Sequence, residues 1–283
     1  MAVNIRNKDS VTGIVLFIFN LLQEYKGRSA MIEQRDLIHY LEAFEKSESS
    51  IRMGLSRMSR SEVIKRIKSD SEIYYTLDEE GEEYIDIWRR GLRYFKLKHK
   101  KRQNSNWNFD WDCYVFRGFR KTDSKNADLV EILCELGYAE IESNVWISSY
   151  NMRSELDPIL NDKEISYINM NSQVNGKIDI ANFLKEEFKI ESLKEEYEKL
   201  ILMIKENNKQ IKKSNLNTVE LLPLLGYTGW KFYSIITRDP FLPGPLLDDW
   251  IGDRVVKLFI DFRKSLFTEI INVLFDKDYN TEE

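Results

Sequence analysis

Between residues 47 and 77 a helical period gives way almost at once to strand-like runs, and few folds accommodate that sequence of events. Ile51, Leu55 and Met58 recur at i, i+4 and i+7, so one side of a helix is apolar and must face a core. At 100° per residue, Ser49, Met53, Ser56 and Arg60 share the opposite face, with Arg52 and Arg57 on its flanks. Ser47 is placed to cap this helix and Glu48 suits its first turn. Two β-prone runs follow, 63–67 and 72–77, separated by Lys68, Ser69, Asp70 and Ser71, a pattern that predicts a hairpin.

The outward helix face carries three guanidinium groups, two hydroxyls and no carboxylate. Arginine can bond both O6 and N7 of guanine, and serine hydroxyls reach bases or phosphates, so the face has the donors that a major-groove helix needs. Lys65, Arg66 and Lys68 put positive charge on the outgoing strand and tip of the hairpin, where it can follow a phosphate backbone. A basic amphipathic helix is more often only a solvated surface. The order helix, helix, basic helix, hairpin favours a winged helix on double-stranded DNA instead. The expected DNA-binding set is therefore Ser49, Arg52, Met53, Ser56, Arg57 and Arg60 on the helix, with Lys65, Arg66 and Lys68 on the hairpin.

The net charge of −5 opposes a nucleic-acid partner only until it is divided. Residues 1–102 hold 20 Lys plus Arg against 16 Asp plus Glu, leaving 22 against 31 for the remainder, so the positive part contains the basic helix. A length of 283 residues suggests about two domains, or three small ones. Cys113 and Cys134 lack the spacing of a metal site and read as two buried free thiols. The apolar run 11–22 is short and lacks a small-residue cleavage site after it, so no signal peptide or membrane span is expected, and the expected location is the cytoplasm.

The rest of the chain divides by pattern. Helices are expected at 13–25, closed by Gly27, and at 35–44; after the hairpin a helix with an acidic first turn runs to about Lys98. Its end, from Arg89 to Arg102, is densely basic, which reads as a solvated face or as secondary phosphate contacts, and the Asn-rich stretch 103–108 marks a boundary. A strand at 111–116, a charged loop at 117–125, a helix on Leu129, Ile132, Leu133 and Leu136, two short β-prone pieces in 139–147, a helix at 151–160 and a strand at 165–170 follow the order of a ferredoxin-like unit. Beyond Gly176 the pattern is helical, through about Ile211, then 218–237 and 253–275, interrupted by Arg238-Asp239-Pro240-Phe241-Leu242-Pro243-Gly244-Pro245, which fixes an extended turn. The expected fold class is α+β multidomain: a winged helix in 1–102, a ferredoxin-like domain in 103–176 and an all-helical domain in 177–283.

Three regions resemble the PaaX family of transcriptional regulators. They are Ser56-Arg57-Met58 with Tyr75, Leu77 and Gly81; the middle region with Leu136-Gly137 and Val145-Trp146-Ile147-Ser148; and Asp239-Pro240-Phe241-Leu242-Pro243 with Leu246-Leu247 and Trp250. The resemblance implies a winged helix, a middle domain similar to a CRISPR-associated endoribonuclease fold, and a helical C-terminal domain. It also implies a homodimeric repressor that binds palindromic operators and is released by an acyl-coenzyme A effector. Asp248-Asp249 and Ile251 depart from the family pattern, leaving the effector open.

Trp230, Arg238 and Trp250 are candidates for the effector pocket, although aromatic residues beside prolines more often anchor a core. An acyl-CoA would need basic groups that the acidic remainder must concentrate locally. No cofactor, catalytic residue or metal ligand is expected. The alternative from another class is a nuclease built on the middle domain, but it would need metal-holding carboxylates at a strand end. Only Asp110 and Asp112 lie near the first strand, and Arg117 follows it.

Overall fold

In the computed structural model, which describes residues 9–104, 106–123, 126–173, 179–214 and 216–271, the first helix starts where a small polar residue caps it. The Ser10 hydroxyl accepts the Gly13 N–H at 3.1 Å and opens α1 (Val11–Lys26), whose Ile14, Val15, Leu16, Ile18 and Phe19 are fully buried. Such all-round burial is what a helix without a polar face requires. Then come β1 (Ile32–Glu33), α2 (Gln34–Glu42), α3 (Glu48–Arg60), β2 (Ile64–Ser69), β3 (Glu72–Leu77) and α4 (Glu79–Asn104). The chain continues with β4 (Trp111–Phe116), α5 (Ala127–Glu135), β5 (Ala139–Glu142), β6 (Val145–Ser148), α6 (Arg153–Asp162) and β7 (Tyr167–Ser172). It ends in helices: α7 (Ile180–Glu187), α8 (Ile190–Lys213), α9 (Thr218–Ile236) and α10 (Ile251–Ile270). Among the described residues the chain is thus α+β, with ten helices, two small antiparallel sheets and a helical C-terminal region.

Two compact units share these elements. The first comprises Met1–Arg90, Leu202–Lys231 and Leu258–Glu283. Its sheet has the order β1-β3-β2, and its core joins α1 to Leu37 and Leu41 of α2, Ile51, Leu55 and Met58 of α3, and Ile64 and Leu77 of the hairpin. Phe17, Phe44 and Trp230 form an aromatic cluster beside it, with ring centroids 5.5 to 6.2 Å apart. The second unit comprises Gly91–Ile201 and Phe232–Lys257. Its sheet runs β5-β6-β4-β7, all antiparallel, and Tyr114, Phe116 and Trp146 from the sheet pack with Leu129, Leu133, Leu156 and Leu160 from α5 and α6.

Several boundaries differ from the pattern reading, each for a physical reason. β1 is too short to show alternation, yet it pairs Ile32 with Tyr75 and completes the first sheet. β2 extends to Ser69 because Asp70 takes a left-handed backbone (φ 51°) and closes the hairpin in two residues. α4 continues past Lys98 to Asn104, and α1 starts earlier, at Val11. Cys113 is buried as expected but Cys134 is exposed, because helical rotation turns it away from Ile132, Leu133 and Leu136. The expected boundary at Gly176, the end of the 117–125 loop and the last residues of the expected 253–275 helix lie outside the described residues. No helix among the described residues is long and apolar enough to cross a membrane.

Candidate nucleic-acid interface

α3 is held by its inner face, where Ile51, Gly54, Leu55 and Met58 are buried. A Cβ at Gly54 would sit 2.6 Å from Val11 Cγ1, so the glycine lets α3 lie close on α1. The Ser47 hydroxyl accepts the Ser50 N–H at 3.4 Å and fixes the start of the helix. On the outer face Ser49, Arg52, Met53, Ser56, Arg57 and Arg60 are all exposed, Met53 by 68%. The face is not free of carboxylate: Glu48 Oε1 accepts Arg52 Nε at 2.9 Å and Nη2 at 2.6 Å, one turn apart. Arg60 donates Nε–H to the Ser56 carbonyl at 3.3 Å and so lies along its own helix. Arg57 has no acidic partner among the described residues, which leaves its five donors directed at solvent.

In the hairpin, strand alternation puts Arg66 and Lys68 on one face and Lys65 on the other, all three exposed. Arg66 lies across from Tyr75, whose hydroxyl donates to Gln34 Oε1 at 3.3 Å. Burial raises the pKa of this hydroxyl, and the charge and hydrogen bond of Arg66, with the charge of Arg52, oppose the rise. Helix and hairpin thus bring two guanidinium groups to one phenol. Next to them is a cleft of about 650 Å³, where Glu33, Asp36, Glu42 and Glu72 outnumber Arg35 and Arg52. These acids bound the positive surface on its α2 side.

Family comparison places the same elements in a known context. The description "PaaX-like protein" matches residues 16–81, and "PaaX-like protein C-terminal domain" matches residues 188–271. The chain belongs to the PaaX-like family. No curated protein matches the chain. Among solved structures, the uncharacterized protein Rv0674 from Mycobacterium tuberculosis aligns over 93% of this chain and 99% of its own, at 15% identity and a TM-score of 0.58, a likeness of fold.

The N-terminal PaaX-like match contains α3, the hairpin and Gly81. A Cβ at Gly81 would come 2.1 Å from the Val63 carbonyl oxygen, and that oxygen also accepts the Asp78 N–H at 3.1 Å. Only a glycine lets the first turn of α4 close on the entry to β2, which sets the hairpin's base. The C-terminal match contains the proline-rich turn, where Asp239 is completely buried. Its Oδ2 accepts the Trp250 indole N–H at 2.7 Å and the Tyr197 hydroxyl at 2.8 Å, and its Oδ1 accepts the Phe241 N–H at 2.7 Å. Burial raises the pKa of the Asp239 carboxyl, and these three donors oppose it. The Asp239 carbonyl accepts Lys98 Nζ at 2.7 Å, and Tyr150 donates to the Phe241 carbonyl at 2.8 Å. Phe241 itself is at φ 51°, a rare conformation for a bulky residue, held by the bonds that its N–H gives Asp239 and its carbonyl accepts from Tyr150.

The candidate effector residues of this PaaX-like chain fall in different units. Trp230 belongs to the first unit, packed on Phe17, Phe44 and Tyr227. Arg238 and Trp250 belong to the second, where Trp250 is spent on Asp239 and Arg238 donates to Glu196 at 2.9 Å. The basic run of α4 is largely committed as well: Arg89 to Gln23 and Asp86, Arg93 to Glu155, Arg102 to Asp253, with Lys98 buried. Lys98 was indistinguishable in sequence from its solvated neighbours, because its partner lies far along the chain. Asp112, which a nuclease would require, accepts from Tyr138, from Arg153 at 3.2 Å and from Asn169 at 3.0 Å, so its lone pairs are occupied by structure.

Proposed function

We propose that this PaaX-like chain is a DNA-binding transcriptional regulator, a cytoplasmic repressor that binds a palindromic operator as a homodimer and is released by a small-molecule effector. The observation that carries the reading is the exposed face of α3, where Arg57 stands without an acidic partner among Ser49, Ser56 and Arg60, continued by Arg66 and Lys68 on the hairpin. Arg57 supplies base recognition, while Lys65, Arg66 and Lys68 hold phosphates and set the register. Arg52 is a contact that DNA gains by competing with Glu48, and Met53 offers an apolar surface for a thymine methyl.

The finer fold reading belongs to the same proposal. The order α1-β1-α2-α3-β2-β3 with a β1-β3-β2 sheet supports a winged helix, and β4-α5-β5-β6-α6-β7 with the sheet order β5-β6-β4-β7 supports a ferredoxin-like unit. Domains at 1–102, 103–176 and 177–283 remain the working division. The effector, an aryl-acyl-CoA by family resemblance, acts through the C-terminal part.

Fluorescence anisotropy of a labelled duplex tests the central step. Duplex binding is expected to weaken steeply as salt rises, because each phosphate contact releases counterions. Absence of binding to any duplex at low salt would remove the proposal. The effector arm is tested by thermal shift against CoA esters and free aromatic acids, since a ligand at 100 times its Kd stabilises by about 2.7 kcal/mol.

A further inference from the structure

Within the second unit a cleft of about 400 Å³ opens where β4 starts, a size at the small end of ligand pockets. Lys101 from the last turn of α4, Trp107 from the loop that follows, Trp111 from β4 and Ser149 from just after β6 line it. The register that pairs Asp112 with Ser148 brings Trp111 and Ser149 to the same end of the sheet. Trp107 is fixed as a wall: its indole N–H donates to the Asp110 carbonyl at 3.0 Å, and its ring meets Trp111 edge-on with centroids 5.0 Å apart.

The groups left free in this cleft are mostly donors. Trp111 is 2% exposed and Ser149 is 6% exposed, yet neither the indole N–H nor the hydroxyl has a hydrogen-bond partner among the described residues. Neither is sealed from solvent, as the Trp146 indole N–H is. A buried donor costs stability until an acceptor meets it. The Lys101 ammonium also lacks an acidic partner among the described residues.

The acceptors beside them are committed. Asp112, its side chain 1% exposed, takes bonds from Tyr138, Arg153 and Asn169. Asn151 and Asn171 give their side-chain carbonyls to the Arg153 N–H and Nη2, each at 3.1 Å, which leaves their amide N–H groups free. Asp110 Oδ2 accepts Asn108 Nδ2 at 2.6 Å, so of the lining carboxylates Asp110 Oδ1 stays open, against an ammonium and two buried donors. Such a surplus calls for an anionic acceptor, and an ammonium on a carboxylate makes one of the stronger hydrogen bonds.

We propose that this cleft binds a small organic carboxylate, with its anionic end on Lys101, Ser149 and the Trp111 indole N–H and its apolar body against Trp107. None of Trp230, Arg238 and Trp250 lines the cleft, and the assignment does not rest on the DNA reading.

The test is a ligand-observed NMR titration of the full chain with benzoate, 2-naphthoate and hexanoate, each beside its uncharged amide. At least one acid is expected to bind saturably, and its amide at least about tenfold more weakly. Lys101→Met is expected to weaken the acid at least about tenfold and Lys101→Arg to keep it. Ser149→Ala is expected to weaken the acid without lowering the Tm of the ligand-free chain, since it removes a buried hydroxyl that bonds nothing. No saturable binding by any of the three acids, an amide that binds as tightly as its acid, or Lys101→Met and Ser149→Ala chains that bind like wild type would each overturn the site. Failure of the DNA reading would show instead as absent duplex binding with acid binding intact.

Discussion

Arg57 and Lys68 are both exposed cations, yet they should behave differently. Arg57 projects from the flank of the exposed α3 face, and a bidentate base contact there is worth about 1 to 3 kcal/mol of discrimination. Arg57→Ala should therefore abolish preference for the operator over random duplex, while Lys68→Ala should weaken both alike and lower the salt slope by about one; competition anisotropy separates the two. Lys98 makes a prediction about pH. Burial lowers its pKa from 10.5 to about 8, against the opposing charges of Asp239 and Glu135. At pH 7 folded and unfolded chains both hold the proton, and the cost of burying the charge is present in full. As pH rises from about 8 toward 10.5 the folded Lys98 loses its proton before the unfolded one, so its contribution to stability improves. Urea unfolding of wild type and Lys98→Met at pH 7 and 9.5 should show the difference moving in favour of wild type at the higher pH; a constant difference would contradict this account. Neither the burial of Lys98 nor the pairing of Arg52 with Glu48 could be read from a basic pattern. The first depends on a contact across 141 residues, the second on a rotamer.

At the scale of elements, the packing of the hairpin against α4 depends on Gly81. Gly81→Ala drives a methyl into the Val63 carbonyl and should cost about 1 to 3 kcal/mol, visible as a lowered Tm, with weakened duplex binding as the hairpin base shifts. An unchanged Tm would show that the turn relaxes freely. α3 and the hairpin were legible in sequence because Ile51, Leu55 and Met58 keep a strict helical period and two β-prone runs flank a polar stretch, although the two-residue turn at Asp70-Ser71 was read as four residues. β1 was not, since two residues carry no period and only pairing with Tyr74 and Tyr75 defines it. The proline-rich turn was legible as a turn, but its purpose was not. Trp250 looked like a pocket residue, and only the fold shows its indole bonded to Asp239.

Across the whole molecule, the excess of positive charge before residue 103 and of negative charge after it fits a chain with one surface for nucleic acid and others for protein or ligand. The proposed dimer would present two α3 helices to DNA, so its preferred site should be an inverted repeat with half-sites about one helical turn, or a multiple of it, apart. The most direct measurement is selection of bound duplexes from a random pool, followed by competition of the selected site against random duplex for wild type and Arg57→Ala. The account predicts an enriched inverted repeat that wild type prefers and Arg57→Ala does not. A pool with no enriched sequence, or a variant that keeps the preference, would contradict it.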